Sequence, residues 1–307
     1  MQPIALQCRA ATIFKPGGAL DEEGFRAYLE RFIDHGIDVY IASAGSGEGH
    51  ALRWEELRRV YEITVETCKG KVEINANPPE QNTARGTIEQ SLLAIEAGME
   101  IVNVYQPANW HGYKPYGDEL RAYYDTVLSA LKHPVALAPN PMIGEGPSPA
   151  LVADLCQRHQ QIVSINLVGQ PVLYFLELKA LLTRDVRLFV DIHSTPNALA
   201  LGAAGLVGGD LNILPGTYRA YATAYEKGDV AEMGLLFWEI VRTLKYIKKW
   251  AGPNSRVIKM FMQVANLQGW EGGVREPVQM PSNSEIEAFG KGLRALGVRE
   301  FDRVLPN

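Results

Sequence analysis

Side chains able to move protons or hold a polar ligand recur where short β-type runs give way to loops. Glu48 and His50 follow the run VYIASA, Asn75 and Asn77 close VEINAN, and Asn109, Trp110 and His111 follow IVNVYQP. Asn140 ends PVALAPN, Asn166 lies in IVSINLV, Asp191 and His193 end RLFVDIH, and Asp210 closes GLVGGD. His193 is the best-suited general acid or base of this set, since an unperturbed imidazole titrates close to neutrality. Asp191, two positions earlier, shares its side of an extended strand and is expected to line the same interior layer. A satisfied structural histidine is the alternative for His193, and more so for His50 and His111, which fall in loops. Glu48, Asp191 and His193 together have the chemistry to hold a divalent cation, but no HxH or HxxxE pattern accompanies them, so no metal or other cofactor is expected.

The stretch AGSGEGHALRWEE carries a second kind of chemistry. Gly45, Gly47 and Gly49 let the backbone approach a ligand closely, while Ser46 and the backbone N–H groups offer donors suited to a carboxylate. The alternative is a tight turn ahead of a helix begun by Trp54 and Glu55. The GxGxG spacing lacks the last glycine of GxGxxG, and no GxxxxGK[ST] stretch occurs, which excludes the dinucleotide and phosphate-loop signatures. Trp110 and Tyr113 point either to a ring or apolar tail in a ligand or to a subunit interface.

These residues need elements to position them, and the chain supplies a regular alternation. Eight short runs, at 10–14, 39–44, 72–77, 101–107, 134–140, 162–168, 187–193 and 205–210, are mostly continuous in apolar residues, as parallel strands buried on both faces require. Between them lie segments of helical period such as DEEGFRAYLERFIDHG and ARGTIEQSLLAIEAG, several opening on acidic residues and closing on Gly or a basic residue. The arithmetic is that of an α/β fold, a (β/α)8 TIM barrel, over residues 1–217, with a doubly wound sheet as the alternative. From 218 to 307 only helical patterns follow, and no Pro-, Gly- or Ser-rich linker sets them apart. A single continuous body with a C-terminal helical extension is therefore expected.

Composition narrows the classes. A chain of 307 residues with 47% hydrophobic and 21% charged residues is an ordinary globular protein, long enough for one large core. A net charge of -5 without a clustered basic stretch gives no footprint for nucleic acid. No apolar run approaches the roughly 20 residues that span a bilayer, and the first residues do not read as a secretory signal, so a cytoplasmic location is expected. Cys8, Cys68 and Cys156 are odd in number and lack a CxxC pattern, and are read as buried thiols.

The loop GSGEGHALRWEE resembles the GTTGE or GSTGE loop of the dihydrodipicolinate synthase and N-acetylneuraminate lyase family of class I aldolases. The resemblance continues through TIFKPGGALDEEGF, NPMIGEG, GAAGLVGGDLNILP and GGVREPVQMPSNSEIEAFGKGLRALG, in the family's order along the chain. It implies a (β/α)8 barrel followed by helices, a homotetramer, and a small carboxylate or keto-acid substrate. In the family that substrate forms an imine with a lysine at the end of strand six, a tyrosine at the end of strand five relays protons, and the GTTGE-type loop holds the carboxylate. Position by position, the lysine falls on Asn166 and the tyrosine on Ala138. The loop arginine of some members has no counterpart in NPMIGEGPS, and a second tyrosine is replaced within QPANWHGY. An amide has no nucleophilic amine, so Asn166 cannot form an imine. Lys15, Lys71 and Lys259 are not placed to take over.

What the resemblance then implies is a divergent lyase-like enzyme working without a lysine Schiff base. His193 and Asp191 would carry proton transfer, Asn140 and Asn166 would act as amide donors, and Gly45, Ser46, Gly47, Glu48, Trp110 and His111 would bind substrate. The alternative is a non-catalytic ligand-binding or regulatory homologue.

Overall fold

A computed structural model describes residues 3–252 and 254–306. Eight parallel strands follow one another in chain order around a closed barrel: β1 (Ala5–Arg9), β2 (Asp38–Ile41), β3 (Ile74–Ala76), β4 (Ile101–Tyr105), β5 (Val135–Ala138), β6 (Ile162–Leu167), β7 (Arg187–Val190) and β8 (Gly205–Gly208). The helices between them are α1 (Glu22–Asp34), α2 (Trp54–Cys68), α3 (Ala84–Glu96), α4 (Glu119–Ala130), α5 (Pro149–Arg158), α6 (Val172–Leu181) and the short α7 (Thr195–Ala200). A helical part completes the chain: α8 (Pro215–Lys227), α9 (Val230–Ile247), α10 (Ser255–Val264), α11 (Asn283–Ala295) and α12 (Phe301–Val304). This is the TIM barrel with a C-terminal helical part that the alternating pattern predicts, and the division at 217/218 falls inside α8.

The start and stop chemistry read in the sequence does form. The side chains of Asp21, Thr83, Ser148, Asp229 and Asn254 each accept a backbone N–H of the first turn of the helix they precede, and Gly228 closes α8 with φ +70°. Ser282 and Glu285 make a reciprocal capping box at α11.

The strands are mostly shorter than the runs read in the sequence, and two differences bear on the site. The first strand is ALQCR rather than the neighbouring apolar run at 10–14, because Gln7, Cys8 and Arg9 are the residues in register with Asp38, Val39 and Tyr40. Phe14 instead makes an isolated antiparallel bridge with Leu20. The seventh strand ends at Val190, so Asp191 and His193 belong to the turn beyond it and not to its extended face.

The chain divides into two compact units, Met1–Glu73 with Gly209–Asn307, and Ile74–Gly208. In the first, Phe25, Tyr28 and Phe32 of α1 and Phe261 of α10 are fully or almost fully buried. In the second, the strands are nearly all buried, yet they carry Asn103, Ser164 and Asn166 among their apolar residues. Cys8, Cys68 and Cys156 are buried free thiols, and burial pushes Cys68 up to about 12 and Cys156 up to about 11, which leaves them unreactive. No described helix is long and apolar enough to cross a membrane.

Candidate functional site

In the first unit the loop after β2 is folded tightly on itself. Ala42 and Glu48 both hold positive φ, +71° and +52°, a conformation that costs an L-residue about 1–2 kcal/mol. Gly47 is required there, since a Cβ would lie 2.9 Å from the Ser43 nitrogen and 3.0 Å from the Ala42 Cα. Gly45 faces open space, with nothing within 4 Å of an added Cβ. The turn is fixed by Gly47 N–H donating to Ser43 Oγ (3.2 Å) and Gly49 N–H donating to Ser43 O (3.1 Å), while Thr12 Oγ1 donates to Gly47 O (2.7 Å). Ser46 is buried, and His50, itself exposed, braces the loop through Nδ1 against Ala44 O (2.9 Å).

Glu48 does not reach out of this loop. Its side chain is fully buried and Oε1 accepts the backbone N–H of Arg275 at 2.8 Å. Burial raises its carboxyl above the usual range, opposed by the Arg275 N–H and by the positive charge of Lys259, His50 and Arg275.

Arg275 closes the same region from the C-terminal side. Its guanidinium donates twice to Glu56 (2.6 and 2.7 Å), to Gly18 O (2.5 and 3.0 Å) and to Ala51 O (2.9 Å), and lies 4.2 Å from the Phe14 ring centroid. Lys259 of α10 is fully buried, donates to Thr12 O at 2.5 Å, and sits 5.3 Å from the same ring. Sequence reasoning assigned Lys259 to the helical extension and gave it no role. The overlooked signal is a lone lysine inside the apolar run VIKMFM, whose other members are all buried.

In the second unit the interior polar residues join into a row. Asn166 Nδ2 donates to Asn103 Oδ1 at 3.0 Å, and Asn103 Nδ2 donates to Asn77 Oδ1 at 3.0 Å. All three are buried, and Asn77 Nδ2 has no hydrogen-bond partner among the described residues. Register accounts for the row: Asn103 lies opposite Ala136 and Ala136 opposite Ser164, and register partners share a face of the sheet, so small side chains leave room for the amides. Ala138 pairs with Tyr105 on the same layer series.

Asn140 is held just past β5. Its N–H donates to Gln106 Oε1 (3.1 Å), its carbonyl accepts Gln106 Nε2 (2.6 Å), and its Oδ1 accepts the Met142 N–H (3.0 Å). The sequence reading missed both Gln106 and Asn103, which stand on or beside β4.

Asp191 and His193 are neighbours without being a side-chain pair. The Asp191 carboxylate accepts the N–H of Gly169 (2.6 Å), of His193 (3.0 Å) and of Ser194 (3.4 Å), so it orders the turn that carries the histidine. The His193 imidazole is exposed. Trp110 stacks on Tyr113 at 3.9 Å and, with Asn109, His111, Lys114 and Glu145, lines an open groove of about 550 Å³. Among the described residues no three His, Cys, Asp or Glu side chains converge in a way that could hold a metal ion.

Comparison with known proteins gives the family. Residues 6–296 match the model of the dihydrodipicolinate synthetase family. The chain is 27% identical over 280 residues to a 4-hydroxy-tetrahydrodipicolinate synthase of Methanoculleus marisnigri, covering 90% of this chain and 91% of that protein. It is 30% identical over 223 residues to a 4-hydroxy-tetrahydrodipicolinate synthase of Geotalea uraniireducens, covering 72% and 75%. In fold it is similar to dihydrodipicolinate synthase from Aquifex aeolicus, with a TM-score of 0.86, 20% identity and coverage of 99% and 100%. It is equally similar to YagE of E. coli K12, a family member solved in complex with pyruvate, with a TM-score of 0.86, 21% identity and coverage of 97% and 100%.

Proposed function

This chain belongs to the dihydrodipicolinate synthetase family, and on that footing we propose that it is a lyase-like enzyme acting on a small carboxylate or 2-keto acid without a lysine Schiff base. What supports the reading is Asn166, the strand-six residue on which the resemblance sets the family's lysine: it is a buried carboxamide whose nitrogen donates to Asn103. A carboxamide polarises a carbonyl by hydrogen bonding and cannot condense with it. The row Asn166, Asn103, Asn77 supplies neutral donors of this kind, and Asn77 Nδ2 has a hydrogen to give. Asn140 is the further donor of the proposal.

His193 is the proton carrier in this reading. Asp191 acts on it by fixing the backbone of the turn. The loop with Gly45, Ser46, Gly47 and Glu48 receives the substrate carboxylate, with Glu48 shaping the loop from beneath, and Trp110 and His111 contribute to substrate selection. YagE's complex with pyruvate makes pyruvate the first compound to try. We further propose the family's homotetramer, in the cytoplasm. The apolar sequence of α6 supports an assembly, since it leaves Leu173, Leu176 and Leu181 exposed.

The test is mass spectrometry after incubation with pyruvate and related keto acids under borohydride, beside calorimetric titration of the same compounds. Binding without a covalent adduct is expected. An adduct on any lysine refutes the proposal, and binding with no turnover of any keto acid favours a non-catalytic ligand-binding homologue.

A further inference from the structure

We propose that Lys259, which sequence reasoning set aside, is the buried positive charge that makes the loop after β2 an anion receptor, acting as a positioning residue from beneath it together with Glu48. The inference rests on the reading that this loop receives the substrate carboxylate.

Thr12 links the parts. Its hydroxyl donates to Gly47 O inside the loop, and its own carbonyl accepts Lys259 Nζ. One residue therefore ties the lysine to the loop backbone. Lys259 is fully buried against a carbonyl oxygen and the Phe14 ring face, both of which favour a cation. Glu48 Oε1 is satisfied by the Arg275 N–H, whereas Oε2 is buried without a hydrogen-bond partner among the described residues. A buried carboxylate with only one oxygen hydrogen-bonded is driven toward its neutral form, while an ammonium held by a carbonyl keeps its charge at neutral pH. The loop is thus backed by net positive charge in a region of low dielectric, where a charge acts more strongly than in water.

The charged groups that bear on this pair are few. Asp21 and Glu48 favour the Lys259 cation, and His50 and Arg275 act on Glu48, with Arg275 already neutralised by Glu56. Burial brings Lys259 down to about 8, so its charge is lost at moderately alkaline pH. Anion affinity should be present below that value and decline as pH rises through it. Folding stability moves the other way over the same interval, because the unfolded chain keeps this proton to higher pH. Reciprocity requires a bound anion to raise the proton affinity of Lys259 by the same factor.

The experiment is calorimetric titration of the whole protein with pyruvate at pH 7 and pH 9.5, repeated near pH 8 in two buffers of different ionisation enthalpy. The affinity should fall by about tenfold between the two pH values, the equivalent of one pKa unit, with net proton uptake near pH 8. Glu48 shares the buried region with Lys259, so the variant used is Lys259→Met with Glu48→Gln, which removes the ammonium, replaces the carboxyl by a neutral amide and keeps the volumes. That variant should fold, bind pyruvate at pH 7 about tenfold more weakly than the parent, and show no change at pH 9.5. Equal affinity at both pH values in the parent, or parental affinity in the double variant, overturns the inference while leaving the carboxylate reading in place. Failure of the parent to bind either pyruvate or 2-oxoglutarate at pH 7 overturns the carboxylate reading and this inference with it.

Discussion

Replacing Arg275 with methionine isolates what its guanidinium does from what its backbone N–H does for Glu48, since the N–H survives. The substitution removes the bidentate pair with Glu56, three further hydrogen bonds to Gly18 O and Ala51 O, and the stacking over Phe14. The side chains of Arg275 and Glu56 are only 16% and 24% exposed, so this pair is far less screened than a surface ion pair. Breaking a fully buried pair costs about 3–5 kcal/mol and an exposed one about 0–1, so this partly buried pair with its added hydrogen bonds is worth about 2–3 kcal/mol. At about 2.1 cal/mol/K of unfolding entropy per residue, a 307-residue chain loses about 1.6 K of melting temperature per kcal/mol, so a drop of about 3–5 K is expected.

Circular dichroism melts at pH 7 measure it. Acid supplies a second check. The Arg275 hydrogen bonds hold the Glu56 carboxyl below the usual range, so this stabilisation is fully present above the unfolded value of about 4.3 and is lost as pH falls through the folded one. The gap between parent and variant should therefore narrow in acid. A drop under about 1 kcal/mol at pH 7, the worth of an exposed pair, refutes the reasoning.

Two further outcomes follow from the loop and the turn. Gly47→Ala meets backbone at 2.9 Å and should destabilise by about 1–3 kcal/mol, whereas Gly45→Ala meets nothing and should leave the melting temperature unchanged; parallel thermal melts compare them. His193→Ala removes an exposed imidazole and should leave the fold intact while lowering kcat on the substrate by about 10²–10⁴-fold, read in steady-state kinetics; unchanged kcat removes His193 from the mechanism.

The barrel was legible because parallel strands buried on both faces must be nearly continuous in apolar residues, as VALA and GLVG are. The ends of the strands were less so. ALQCR and the apolar run after it are both strand-like, and only pairing with β2 decides between them. In RLFVDIH the apolar alternation continues past Val190, yet Asp191 has a stronger local option, accepting N–H groups of its own turn.

Gly47 could be singled out from the sequence because the tight turn that requires it is local to the chain, as is the Met142 N–H that Asn140 accepts. Asn103, Lys259 and Arg275 were not recognised, because their roles arise from partners far along the chain: Asn166, Thr12 and Glu56 respectively.

The row of carboxamides in the second unit has one more property. Asn166, Asn103 and Asn77 are linked head to tail, each nitrogen facing the next oxygen, so the row has a sense. Turning over the central Asn103 sets nitrogen against nitrogen toward Asn166 and oxygen against oxygen toward Asn77, turning either end amide makes one such clash, and the mismatch is relieved only if the neighbours turn as well. The three therefore reverse as one body or hold still, and a molecule that needs a donor at one end fixes the orientation of the amide at the other.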